Sequence, residues 1–152
     1  MTPEDKLKEM GLELPEVTTP PFTFVPFKRD GDTVYISGQA PRGPDGKIAT
    51  GKVGRDVTTE EAAAHARLTG LHLLAVAKAA AGDLSKVEFL KLLGMVNAVP
   101  EFTEQPKVIN GCSDLLVEVL GERGKHARSA VGFGSLPGGM TVEIEAVIRI
   151  HD

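Results

Sequence analysis

Met140-Thr141-Val142-Glu143-Ile144-Glu145-Ala146-Val147-Ile148-Arg149-Ile150 alternates almost without a break. Met140, Val142, Ile144, Ala146, Ile148 and Ile150 fall on one face of an extended chain. Thr141, Glu143, Glu145, Val147 and Arg149 fall on the other. Such a pattern is a strand with one face in a core, which makes the molecule a sheet protein on at least one side. Just upstream, His126 to Phe133 reads as another strand, set apart by Gly134, Pro137, Gly138 and Gly139.

Working outward, Thr58-Thr59-Glu60-Glu61 is a hydroxyl-then-acid helix start, and the helix runs to about Ala81, where Gly82 stops it. Val87 to Val99 is the next strand, with Val87, Phe89, Leu93 and Met95 on one face and Leu90, Leu92, Val96 and Ala98 on the other. A second helix spans about Val108 to Leu120 and aligns Val108, Ile109, Cys112, Leu115, Leu116 and Val119 in one apolar stripe. Nearer the start, Phe22 to Lys28 and Thr33 to Ser37 predict a hairpin turning at Asp30-Gly31-Asp32, and Pro41 to Gly54 reads as loop. Thr2-Pro3-Glu4-Asp5 opens a short helix that Gly11 ends, so residues 2–11 extend one domain covering 1–152. The sum is an α+β fold, a mixed sheet with two helices packed on one face. The second sheet face is not polar, and burial by other copies of the chain is the expected cover, with sites at subunit boundaries.

Composition excludes more than it assigns. The chain has 152 residues, a net charge of −4 and no basic cluster, which argues against a nucleic-acid partner. One cysteine, Cys112, cannot form an internal disulfide, no apolar run reaches membrane length, and the start lacks signal-peptide order. A cytoplasmic location is the default expectation. His65 and His72 share a helix without an acid or cysteine partner, so no metal is expected, and no glycine stretch has phosphate-loop spacing.

Arg128 is the residue that invites chemistry. It stands in an apolar-rich run, and its planar five-donor fork suits a carboxylate. Glu143 and Glu145 share a strand face about 7 Å apart. A cation that grips an acid and a carboxylate that moves a proton are sufficient to orient a small acid and a water. On the residues alone, an ion pair between Arg128 and Glu143 or Glu145 accounts for them equally well.

Four segments in this order are specific together: Tyr35-Ile36-Ser37-Gly38-Gln39-Ala40-Pro41, Gly82-Asp83-Leu84-Ser85-Lys86-Val87, Ala127-Arg128-Ser129, and Leu136-Pro137 followed by Val142-Glu143-Ile144-Glu145-Ala146. Over roughly Phe22 to Ile150 the chain resembles the reactive intermediate deaminase (RidA, YjgF-like) family. Within it, the chain looks closest to a subgroup with a longer central insertion like Phe102 to Gly111. The resemblance implies a chorismate-mutase-like fold and a homotrimer with sites between adjacent subunits. It also implies cofactor-independent hydrolysis of small reactive α-imino or enamine acids to keto acids and ammonia. By the same resemblance, Arg128 grips the substrate carboxylate, Glu143 positions the attacking water, and Ser37 with Gly38 lines the pocket. Phe24 and Ala130 stand where the deaminase branch often has an aromatic hydroxyl and a cysteine, His126 stands for a proline, and Asn110 is the weakest candidate contact. Two other functions fit a chain of this kind: a non-catalytic binding module for keto acids or amino acids, and an endoribonuclease, against which the net charge counts.

Overall fold

Hydroxyl residues followed three positions later by an acid start two of the three helices in the computed structural model, which describes residues 1–152. Thr2 accepts from the Asp5 amide while the Asp5 carboxylate takes the Thr2 amide, opening α1 (Pro3–Glu9). Thr58 and Glu61 do the same for α2 (Thr59–Ala81), which ends at Gly82 with φ of 83°. A hairpin of β1 (Phe27–Asp30) and β2 (Thr33–Gln39) turns over Gly31 and Asp32. Then follow β3 (Val87–Asn97), α3 (Gln105–Leu120), β4 (Ala127–Phe133) and β5 (Val142–Ile150). The sheet order is β1-β2-β5-β3-β4. Only β3 and β4 run parallel, joined across α3.

Four departures from the expectation have a clear physical reason. β1 begins at Phe27 rather than Phe22, because Pro20, Pro21 and Pro26 lack the amide that a ladder needs. α3 begins at Gln105, three residues early, with Pro106 in its first turn, where a missing N–H costs nothing. In β3 an irregularity between Phe89 and Lys91 inserts one residue. Side-chain parity therefore switches: Val87 and Phe89 share the core face with Leu92 and Val96, while Leu93 and Met95 turn the other way. Alternation also fails just before β5. Thr141 is buried against His65 of α2, and Met140 joins Met95 and Leu136 across the sheet.

The two long helices cover one face, α2 above β2 and β5, α3 above β3 and β4. Glycines set their closeness. A Cβ on Gly94 would lie 2.6 Å from Ile109 Cδ1, so α3 rests almost on the backbone of β3, and one on Gly111 would lie 2.8 Å from the Ala63 carbonyl carbon of α2. The N-terminal helix is a third cover rather than a loose extension: Leu7 belongs to the main core and α1 packs on α3. On the opposite face, Ala40, Ile48 and the Leu136–Met140 turn cover one end. The buried Asn97 carboxamide ties these loops together, donating to the Gly51 and Met140 carbonyls while accepting from Lys52 Nζ at 2.9 Å. The rest of that face is open, and Tyr35, Val131 and Phe133 are each 39–53 % exposed. No helix is long and apolar enough to cross a membrane.

Candidate functional site

The predicted site residues fall into two groups. The first gathers where β2 leaves the sheet. Ser37 Oγ donates to the Val25 carbonyl at 2.6 Å, and its amide donates to the Pro26 carbonyl, so the serine straps the N-terminal segment to β2. Its hydroxyl proton is engaged, which leaves the oxygen as an acceptor. Gly38 follows, and a Cβ there would strike the Glu143 carboxyl group, whose carbon would be 2.9 Å away. Glycine at this position is a requirement of close approach, since its φ is not in the left-handed region. A cleft of about 220 Å³ opens beside Ser37, Gly38 and Phe24, walled by Arg42 and by His72 and Val76 of α2. Phe24 lies outside any strand, half exposed and stacked on Phe22 with ring centres 5.9 Å apart. It reaches the cleft from the irregular segment before β1, and not from a first strand as expected.

Glu143 is partly buried on β5, and desolvation there pushes its carboxyl above the usual glutamate range. The negative charge of Glu145 adds to the shift. A carboxyl held in this way takes up a proton more readily than an exposed glutamate.

The second group lies at the other side of the sheet. Arg128 on β4 turns toward α3, where Nη1 donates to Ser113 Oγ at 3.0 Å and Nη2 to the Pro106 carbonyl at 3.2 Å. Two of its five N–H groups are so held, and three have no partner within the chain. Asn110 lies between Pro106 and Ser113 in sequence, four and three positions away, and so shares their side of the helix. Its side chain is exposed. Ala130 points to the same sheet face as Arg128 and packs half-buried against the core. Arg128 also lowers the thiol of neighbouring Cys112, although burial outweighs that effect and pushes the thiol up to about 12.

Register shows why the two groups do not meet within the chain. Glu143 pairs with Met95, which pairs with Val131, so these three share a face. Arg128 is three residues from Val131 and therefore projects from the opposite face. β2 and β4 are separated by β5 and β3, three strand spacings or about 14 Å. Arg128 forms no ion pair with Glu143 or Glu145 in the chain. Sequence reading missed Ser113. Its spacing from Asn110 was a signal already inside the expected helix, and Pro106 joins that face because the helix begins at Gln105.

Residues 4–139 match the family described as "YjgF/chorismate_mutase-like, putative endoribonuclease"; the match stops short of β5 and Glu143. The chain is 39 % identical over 148 residues to Protein TCP17 of Trypanosoma cruzi, covering 96 % of this chain and 92 % of that one. Among solved structures it is similar to the Agrobacterium tumefaciens protein Atu1372, at 49 % identity and a TM-score of 0.90, with 99 % of this chain and 93 % of that one covered. A Shewanella oneidensis protein described as "a putative endoribonuclease" is 34 % identical, with a TM-score of 0.94 and coverage of 99 % and 100 %. RidA from the Antarctic bacterium Psychrobacter is more distant, at 26 % identity, a TM-score of 0.61 and coverage of 89 % and 94 %.

Proposed function

We propose, because the chain belongs to the RidA/YjgF family with its chorismate-mutase-like fold, that it hydrolyses small α-imino or enamine acids to keto acids and ammonia in a homotrimer. The observation that carries this reading is the separation of the two half-sites. An arginine with three N–H groups to offer and a carboxylate with raised proton affinity project from opposite sheet faces. Each lacks in its own subunit what the other supplies. A rotationally symmetric ring would bring the β4 side of one copy against the β2–β5 side of the next and complete a site at every boundary.

The chemistry asks little of the protein. Arg128 holds the substrate carboxylate and fixes the imine carbon in place. Glu143 takes a proton from water as the water oxygen bonds to that carbon and the C=N electron pair moves to nitrogen. The Ser37 oxygen accepts from the water or the imine N–H. The proton on Glu143 passes to nitrogen to give an amino alcohol; Glu143 then takes the hydroxyl proton and delivers it to nitrogen as the oxygen lone pair forms the keto C=O and the C–N bond breaks. Ammonia leaves, and no covalent intermediate with the protein is required.

The test mixes two defective variants. Arg128→Ala and Glu143→Gln should each lose most turnover of iminopyruvate generated from alanine by an amino acid oxidase. Co-expressed in equal amounts, they should recover about a quarter of the wild-type rate, the chance that one boundary draws its arginine from a Glu143→Gln copy and its carboxylate from an Arg128→Ala copy. No recovery would defeat the composite site. Absence of ammonia release by the wild-type protein, with pyruvate still raising its melting temperature, would make it a binding module instead.

A further inference from the structure

Beside Arg128, three side chains form a chain of hydrogen bonds that runs in one direction. His126 Nδ1 is 2.7 Å from the Gly124 carbonyl, and a carbonyl only accepts, so Nδ1 carries the proton. In the neutral imidazole Nε2 is then the acceptor, and Ser113 Oγ, 2.9 Å away, donates to it. With its proton so placed, the Ser113 oxygen presents its lone pairs to Arg128 Nη1 at 3.0 Å. The Pro106 carbonyl holds Nη2 from the other side. Each member has one role open to it, and the last bond fixes the plane of the guanidinium.

A serine bonded to a histidine that a third group orients is also the arrangement of an activated nucleophile. Here the cation argues otherwise. The lone pairs that would attack are directed at a guanidinium, which withdraws electron density and occupies the approach to the oxygen. Orientation is what this geometry does well.

We infer that Ser113 and His126 are positioning residues that set the Arg128 fork for a small carboxylate. This inference rests on the reading of Arg128 as the carboxylate grip. A bidentate pair needs both N–H vectors coplanar with the carboxylate, so an arginine free to rotate about its last torsions binds the same acid less well. Two anchors on α3, one a main-chain carbonyl and one a hydroxyl locked by His126, remove that freedom before the ligand arrives. His126 earns its place through Nε2 alone, because its Nδ1 bond ends on the chain beside it.

Isothermal titration of pyruvate into the whole protein tests the relay. Ser113→Ala keeps a good helix former and removes the hydroxyl; it should weaken pyruvate binding about tenfold, as expected for one misaligned charge-assisted contact, with an unchanged melting temperature. The two histidine variants separate the nitrogens. His126→Asn can still reach the Gly124 carbonyl but not Ser113, and should match Ser113→Ala. His126→Gln places an amide oxygen near the Nε2 position and should restore most of the affinity. In the imine assay the loss should fall on KM and leave kcat nearly constant, since the Glu143 side is untouched. Arg128→Ala is the reference. If it abolishes pyruvate binding while Ser113→Ala binds within twofold of wild type, the positioning role is overturned and the grip stands. If Arg128→Ala itself binds normally, both fall. Equal damage in His126→Gln and His126→Asn would also overturn the relay through Nε2.

Discussion

Gly38→Ala should separate activity from stability. The backbone at this position permits alanine, because its φ is not left-handed. Replacing glycine where the conformation is compatible ordinarily adds about 0.4–1 kcal/mol by restricting the unfolded chain. Against that stands the Glu143 carboxyl, whose carbon would be 2.9 Å from the new methyl. Ordinary contact begins near 3.4 Å, so the carbon must retreat by about half an ångström, and the nearer oxygen by about 1 Å. Glu143 is only partly buried and its side chain can rotate away. The two stability effects should therefore cancel to within about 1 kcal/mol. The rate should not survive so well. A displacement of about 1 Å in a group that must meet a water costs roughly 10²-fold, or about 2.7 kcal/mol of barrier. Iminopyruvate hydrolysis and urea denaturation on the same preparation give both numbers. The double variant Gly38→Ala/Glu143→Gln supplies the control and should be no slower than Glu143→Gln alone. Wild-type turnover by Gly38→Ala would show that the carboxyl's placement does not matter. A stability loss above about 2 kcal/mol would show that the carboxyl cannot yield.

Three further outcomes follow from other parts of the molecule. Gly111→Ala should destabilise by about 1–3 kcal/mol in urea, although the same change in an unpacked helix would stabilise by about 1 kcal/mol, because its methyl meets the Ala63 backbone and not a side chain. Glu143→Gln should melt higher than wild type at neutral pH. A carboxyl whose proton affinity is raised in the folded state contributes stability below the ordinary range near pH 4.5, and that contribution is lost as pH rises through the raised value; the advantage of glutamine should therefore shrink on acidification. Cys112, buried with its thiol pushed up to about 12, should ignore a thiol reagent at pH 8 in the native protein and react at once in guanidinium.

Much of this structure was legible in the residues. The alternation of Val142 to Ile150, the Thr58–Glu61 box and the stop at Gly82 each specify their element locally, and each is found where it was expected. What failed depended on partners. The extra residue between Phe89 and Lys91 is defined only against β5, so no inspection of β3 alone reveals which side chains turn away. The same holds for the site. Arg128 and Glu143 could be picked out as chemistry, but their opposite faces follow from the registers of β4 on β3 and of β3 on β5. Phe24 reads as strand from its apolar neighbours, while the flanking prolines, which cannot donate, exclude it from the ladder.

The strand order distributes the two half-sites unequally in rigidity. Glu143 rides on β5, at the middle of the sheet with a ladder on either side, whereas Arg128 rides on β4, bonded to β3 along one edge and to nothing along the other within the chain. Amides of β4 should therefore exchange with solvent sooner than those of β5, and the gap should narrow when an acid occupies the arginine. On the proposed function, the same asymmetry would let an outer strand shift under mutation to admit a longer or bulkier acid while the Glu143 carboxylate keeps its place. A protein so arranged can change what it holds without rebuilding how it reacts.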